Sequence, residues 1–214
     1  QEQTAIALAL SDTDNLITNL QNLINKKRQL KQAAMHQLLT PKEHWETKKL
    51  GDVCVFSSGT AHENVIDSNG DFVVVNSKFI STNGEVKKFA NKIYCPVELQ
   101  NILIVLSDVP NGKAIAKCFF VDQNNFYTVN QRIGIIKPIE KVNSKFLYYL
   151  INRHQYFLSF DDGVKQTNLR NQDVLGLPIS IPKTQEEQEC IANALTDLDK
   201  EIELLESKLE KTKN

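Results

Sequence analysis

The two ends of the chain carry the same helix. Shifting the numbering by 185 lays residues 1–29 on 186–214 without a gap, with 11 identities over the 29 positions. Glu2 and Gln3 fall on Glu187 and Gln188, Ile6 and Ala7 on Ile191 and Ala192, and Ala9 and Leu10 on Ala194 and Leu195. Asp12, Asp14, Ile17, Leu20 and Lys26 fall on Asp197, Asp199, Ile202, Leu205 and Lys211. Two unrelated amphipathic helices would share apolar spacing. They would not also share a Glu-Gln pair and an Asp-x-Asp, so the ends are a duplication.

The shared pattern is a heptad seam. Ile191, Leu195, Leu198, Ile202, Leu205 and Leu209 are spaced alternately by four and three, which keeps them on one stripe of a helix. The first helix repeats the stripe at Ile6, Leu10, Ile17, Leu20 and Ile24, with Thr13 substituting once, and Leu16, Leu23, Leu30, Ala34 and Leu38 add a second row. Pro41 ends it. These patterns predict helices of ~35 and ~28 residues, ~50 and ~42 Å long. Stripes of this length need covering, and pairing the helices with each other is the simplest cover.

Between them the texture changes. Short β-branched runs recur at residues 52–56, 71–75, 102–106, 114–121, 126–129 and 132–136. They are punctuated by Ser68-Asn69-Gly70, Asn83-Gly84 and Asn111-Gly112, a strand-and-turn pattern. Ser144 is the expected cap of a helix whose apolar face runs through Phe146, Leu147, Leu150, Ile151, His154 and Phe157. Residues 163–182 then read as a polar, glycine-led loop and a strand ending at prolines. The expected fold class is α+β: a mixed globule over 41–183, flanked by helical segments 1–40 and 184–214.

Composition narrows the chemistry. Net charge is −1 overall, but the middle segment is near +2 and the last helix near −4 (16 cations against 14 anions over 41–182; 5 against 9 over 183–214). Nucleic acid is compatible with the middle without being demanded by it. Cys54, Cys95, Cys118 and Cys190 are scattered, as are the four histidines. No zinc spacing exists, and buried free thiols in a reducing cytoplasm are expected. The longest apolar run, residues 102–106, is too short to cross a bilayer. The only Met is Met35 and the chain begins at Gln1, so a fragment of a longer protein, or a chain with its start removed, is expected.

Catalytic constellations are weak. Asp71 with Glu85-Val86-Lys87 loosely fits the carboxylate-and-lysine pattern of Mg²⁺-dependent nucleases, and a stand-alone nuclease is one alternative function. Ser107-Asp108-Val109-Pro110 is similar to the catalytic loop of amino-group DNA methyltransferases, without its second proline or its aromatic. Another alternative is a coiled-coil assembly protein that binds no DNA. Side chains suited to bases and phosphates are better represented. Lys165, Gln166, Thr167, Asn168 and Arg170 share one loop; Asn130, Gln131 and Arg132 form a second cluster, and Asn76, Ser77 and Lys78 a third. Ser57, Ser58, Gly59 and Thr60 offer backbone N–H groups to a phosphate. Asn and Gln pair with adenine, Arg with guanine, and Lys, Ser and Thr suit phosphate oxygens. Taken singly, each cluster reads as an ordinary polar loop.

Whole segments carry a resemblance. LKQAAMHQLLT (30–40), W-x-x-K-K-L-G-D-V (45–53), ILIVLSDVPNGKAIAKC (102–118), VNQRIGIIKP (129–138), FLYYLI (146–151) and GVKQTNLRNQDVLGLPISIP (163–182) occur in this order. They precede E-Q-x-x-I-A-x-x-L-x-x-x-D-x-x-I (187–202). Together they resemble the specificity subunits of type I restriction-modification systems. The resemblance implies a target-recognition domain between spacer helices that pair as an antiparallel coiled coil. It implies a non-catalytic subunit that selects one half of a bipartite double-stranded DNA target. Its partners would be methyltransferase subunits docked on the helices and a restriction subunit that joins through the complex. S-adenosylmethionine, Mg²⁺ and ATP would belong to those partners, with no cofactor on this chain and no membrane involved. The family carries two recognition domains, whereas this chain has one. That makes it either a truncated piece or a half-sized subunit that forms a homodimer.

Overall fold

The first helix of the computed structural model, α1 (Glu2–Leu39), ends just before Pro41, as expected from the proline's missing N–H. The structure describes residues 2–62 and 65–213, with residues 5 and 7–9 described by backbone alone. The last helix is α6 (Gln185–Lys213). Two compact units emerge: Gln1–Thr40 with Cys190–Asn214, and Pro41–Glu189.

Within the helical unit, Leu20, Ile24, Ile191, Leu195 and Ile202 are buried, and Ile17, Leu198, Leu205 and Leu209 are half-buried. Each buried aliphatic side chain contributes ~1.5–3 kcal/mol before entropy is deducted. Ion pairs flank this seam. Lys27 meets Glu201 at 2.5 Å, Arg28 meets Glu206 at 2.6 Å, and Lys31 meets Asp199. As α1 advances from Lys27 to Lys31 its partner steps back from Glu201 to Asp199, so the helices run antiparallel. Partly exposed pairs of this kind are worth ~0–1 kcal/mol each. They set register, and the apolar seam supplies the stability.

That register corrects part of the sequence reading. Extended along both helices, it leaves the first turns of α1 opposite no described residue of α6. Ile6 and Leu10, expected in the seam, are 55% and 62% exposed. Their repeat mates Ile191 and Leu195 are buried.

The globular unit is built on β1 (Glu46–Lys49), β2 (Cys54–Ser58), β3 (Phe72–Val75), α2 (Ser77–Ser81), β4 (Phe89–Ala90) and β5 (Ile102–Val105). The chain continues through β6 (Ser107–Asp108), β7 (Cys118–Phe120), β8 (Tyr127–Val129), β9 (Ile133–Pro138) and α3 (Ser144–Ile151). Then come α4 (Gln155–Leu158), β10 (Thr167–Asn168), α5 (Asn171–Leu175) and β11 (Pro178–Ile181). One antiparallel sheet has the order β2-β9-β5-β7 and another sheet the order β4-β3-β8, with β3 and β8 parallel. Leu103, Val105, Ile133 and Ile135 of the first meet Val73, Val75, Tyr127 and Val129 of the second in one core. Every residue of β5 is buried, as a central strand covered on both faces requires. The second cover is α3, which lies against β7 and β9.

β1 pairs antiparallel with β11, from Glu46 opposite Ile181 to Lys49 opposite Pro178. The two ends of the globule are thereby held together, and the start of α6 is anchored beside them. The Glu187 carboxylate accepts hydrogen bonds from Lys42 (3.0 Å) and the Trp45 indole (3.1 Å), and is bonded to the His44 ring at 2.9 Å. The Gln188 side chain accepts from the Asn143 backbone N–H at 2.8 Å and donates to the Pro182 carbonyl at 3.0 Å. Burial alone would push the Glu187 pKa up from its ordinary 4.5, but its bonds to His44, Lys42 and Trp45 outweigh that and hold it at about 2. A carboxyl whose folded pKa is depressed adds stability above its unfolded value and loses it as pH falls toward the folded one. Acid titration followed by circular dichroism is therefore expected to show stability lost between pH ~4.5 and ~2. Glu187→Gln should flatten that part of the curve. The contribution is on the order of 2 kcal/mol after solvent screening of a carboxylate that is a quarter exposed.

Three local expectations are corrected. The helix anticipated from Ser144 to Phe157 is two helices, because Asn152 ends α3 and Arg153 takes a positive φ of 55°. Asn143, not Ser144, caps α3 by accepting from the Phe146 N–H, and His154 caps α4 rather than sitting on a helix face. Cys54 and Cys118 are buried with their thiol pKa values pushed up by burial, whereas Cys190 is exposed.

Candidate nucleic-acid interface

The four polar clusters lie far apart in sequence and meet at adjoining strand ends. At the end of β2, the Gly59 N–H donates to the Ile133 carbonyl and the Thr60 N–H to that of Val129, both at 2.9 Å. The Asn130 N–H donates to Val75 at 3.0 Å, which brings the turn after β8 beside Asn76. The Leu106 N–H donates to Arg132 at 2.9 Å, and the Leu169 N–H to Leu106 at 2.8 Å. β10 pairs with β6, placing Thr167 opposite Asp108 and Asn168 opposite Ser107. Segments 57–60, 76–78, 130–132 and 165–170 thus border one another through a chain of backbone hydrogen bonds.

Their side chains divide by accessibility. Ser57, Ser58, Thr60, Lys78, Gln131, Arg132, Lys165, Gln166, Asn168 and Arg170 are exposed. Others serve the scaffold. Asn76 caps α2 by accepting from the Phe79 N–H at 2.9 Å, and Asn130 accepts from the Arg132 N–H at 3.2 Å to shape its turn. Ser77 is half-buried with its hydroxyl enclosed, and Thr167 is buried. The Arg170 backbone N–H donates to Asp173 at 2.8 Å, which caps α5.

The expectation that Gly59 and Thr60 present N–H groups to a phosphate is overturned, since both are already used in the sheet. The glycine has another cause. A Cβ at Gly59 would fall on the carbonyl oxygens of Asn130 and Val129, so only glycine lets the chain pass this close. His62, buried against this segment, is bonded to the Thr60 carbonyl and the Thr128 hydroxyl, both at 2.7 Å.

Sequence reasoning missed the support beneath the 163–170 loop. The Gln166 amide donates to the Ser107 hydroxyl at 2.7 Å. The Asp108 carboxylate accepts from the N–H groups of Val109, Ala114 and Ile115 at 2.9, 2.6 and 3.0 Å. The segment similar to a methyltransferase loop is therefore a carboxylate-pinned turn. The Asn111-Gly112 turn signal was the available pointer to it. The carboxylate-and-lysine alternative gains no geometry: Asp71, Glu85 and Lys87 are each exposed, and among the described residues no three His, Cys, Asp or Glu side chains gather as metal ligands.

An exposed edge of Arg, Lys, Gln, Asn and Ser side chains on an α+β frame is the kind of surface a nucleic-acid-reading module presents. Comparisons agree. The family model for the type I restriction modification DNA specificity domain matches residues 42–214, and the chain belongs to that family. It is 27% identical over 234 aligned positions to the type I restriction enzyme MjaVIII specificity subunit of Methanocaldococcus jannaschii, covering 95% of this chain and 55% of that protein. The crystal structure of the type I restriction-modification S subunit from M. genitalium superposes with a TM-score of 0.72 at 18% identity, over 99% of this chain and 57% of that one. The HsdS subunit from Thermoanaerobacter tengcongensis gives 0.66 at 14%, over 98% and 52%. The chain spans about half the length of these relatives. No helix among the described residues is long and apolar enough to cross a membrane.

Proposed function

We propose that this chain is a non-catalytic reader of one half of a two-part double-stranded DNA target, and that it holds methyltransferase subunits along the α1–α6 pair. The observation that carries this reading is the convergence of four polar clusters on adjoining strand ends. Arg132 and Gln166 are its central base-reading candidates, and Lys78 and Lys165 suit phosphates. A second recognition domain, or a second copy of this chain in a homodimer, reads the other half, since a two-fold pair matches two half-sites. A restriction subunit joins through the methyltransferase assembly. S-adenosylmethionine, Mg²⁺ and ATP serve those partners.

The test is a pair of titrations on target and non-target duplexes. Arg132→Ala and Gln166→Ala are each expected to weaken target binding by ~1–3 kcal/mol and leave non-target binding nearly intact. Equal loss on both would reassign the residue to phosphate contact. Nicking of plasmid by the purified chain with Mg²⁺ would overturn the non-catalytic assignment.

A further inference from the structure

Two surface turns meet next to the polar edge, and each carries an exposed aliphatic residue. Val109 is 64% exposed and Val164 is 78% exposed. Such side chains on isolated loops need no explanation singly, but these turns are tied together. The Asn111 amide donates to the Gly163 carbonyl at 3.0 Å. Gly163 has a φ of +70°, and a Cβ there would come within 3.0 Å of that amide. The β6–β10 ladder and the Gln166–Ser107 bond join the same two segments on the other side.

Each turn is also internally braced. Asp108 pins the first through three N–H groups, and the Gly112 N–H donates to the Val109 carbonyl at 2.9 Å. The Asp162 carboxylate takes the N–H groups of Val164 and Lys165, both at 2.9 Å, and these bonds hold its pKa below the usual carboxylate range. Two valines are thus presented from a stiffened double turn. Exposed Lys113 and Lys165 flank it, and Gln166 and Asn168 adjoin it. The apolar tip is continuous with the polar edge, where Lys113 and Lys165 stand beside the Asp108, Asp161 and Asp162 carboxylates that brace the turns.

We infer that Val109 and Val164 are specificity-determining contacts for the 5-methyl group of thymine in the major groove, an inference that rests on the DNA-reading function proposed above. Thymine's methyl is the apolar feature that distinguishes base edges in that groove, and small aliphatic groups recognise it. Larger Phe, Leu, Ile or Met wedges are the ones that part base steps. Polar neighbours then read hydrogen-bonding edges while the valines read methyl groups.

The experiment selects binders from a random-sequence duplex pool with the intact chain, then copies the selected pool with either dTTP or dUTP. Deoxyuridine pairs as thymidine does and lacks only the methyl. The deoxyuridine pool is expected to bind about fourfold more weakly for each methyl contacted. Val164→Ser and Val109→Ser, both exposed and therefore expected to fold, should bind the two pools more nearly alike. Equal binding of both pools by the unaltered chain would overturn the inference while leaving sequence-specific reading intact. So would serine variants that weaken both pools by the same factor, as a groove wedge would. Failure to enrich any sequence would instead overturn the DNA-reading function, and this inference with it.

Discussion

Ile24→Asp is expected to unzip the two long helices, whereas Ile6→Asp, at an equivalent seam position of the same helix, should leave them intact. Ile24 is buried, at 3% exposure, in the stretch of α1 that carries the ion pairs to α6. A carboxylate there loses the burial of an isoleucine and must either be desolvated without a partner or force the helices apart. The cost is at least ~3 kcal/mol. Because long helices draw most of their stability from packing, a large part of the helical circular dichroism should melt earlier. On the function proposed above, docking of methyltransferase subunits should fall with it. Ile6 is 55% exposed, so its substitution should change stability by no more than ~0.5 kcal/mol. Equal effects at both sites would mean that the seam is covered along its whole length in solution.

Gly59→Ala is expected to destabilise the globule by ~2–4 kcal/mol and to weaken binding to every duplex. The added methyl meets two backbone carbonyl oxygens, Asn130 and Val129, and backbone cannot swing aside as a side-chain tip can. The end of β2 must therefore move from β8, breaking the bond from the Thr60 N–H to Val129 and separating segment 57–60 from segment 130–132. Overpacking of this kind costs ~1–3 kcal/mol, and the lost hydrogen bond adds ~0.5–1.5. Ser58→Ala, at an exposed position next door, is the control and should be nearly silent in stability. Thermal melts together with duplex titrations distinguish the outcomes. An unchanged melt for Gly59→Ala would show that the strands can separate here without cost.

Much of the architecture was legible before any coordinates. Heptad spacing marked both helices to within a few residues, since that period follows directly from helix geometry. The runs at 71–75, 102–106 and 126–129 contain β3, β5 and β8, and the run at 132–136 holds the first four residues of β9, because β-branched runs bounded by turn residues have few other uses. Asn83, Gly84 and Asn111 do take positive φ values, as their turn signals required. The misses share a cause. β1, β6 and β10 are short and polar, and they are strands only because distant partners complete their ladders. The break at Asn152–Arg153 interrupts a pattern that is helical by periodicity. Here the Arg153 N–H bonds to the Ala116 carbonyl and the Arg153 guanidinium to the Lys113 and Ile115 carbonyls, all from another part of the chain.

The candidate site divides the same way. Residue types suited to bases were visible as four separate polar clusters, each no more than a loop when taken alone. Their adjacency, the inward turn of Thr167, the scaffold duties of Asn76 and Asn130, and the clamp that presents Val109 and Val164 all depend on contacts between residues tens of positions apart. Sequence alone determined the duplicated helices, the α+β class and the kind of chemistry available, because periodicity and side-chain type are local properties. Tertiary structure decided which stretch of the seam is covered, which polar residues face outward and which loops stand side by side, because burial and hydrogen bonding are settled by what the rest of the chain brings to each position.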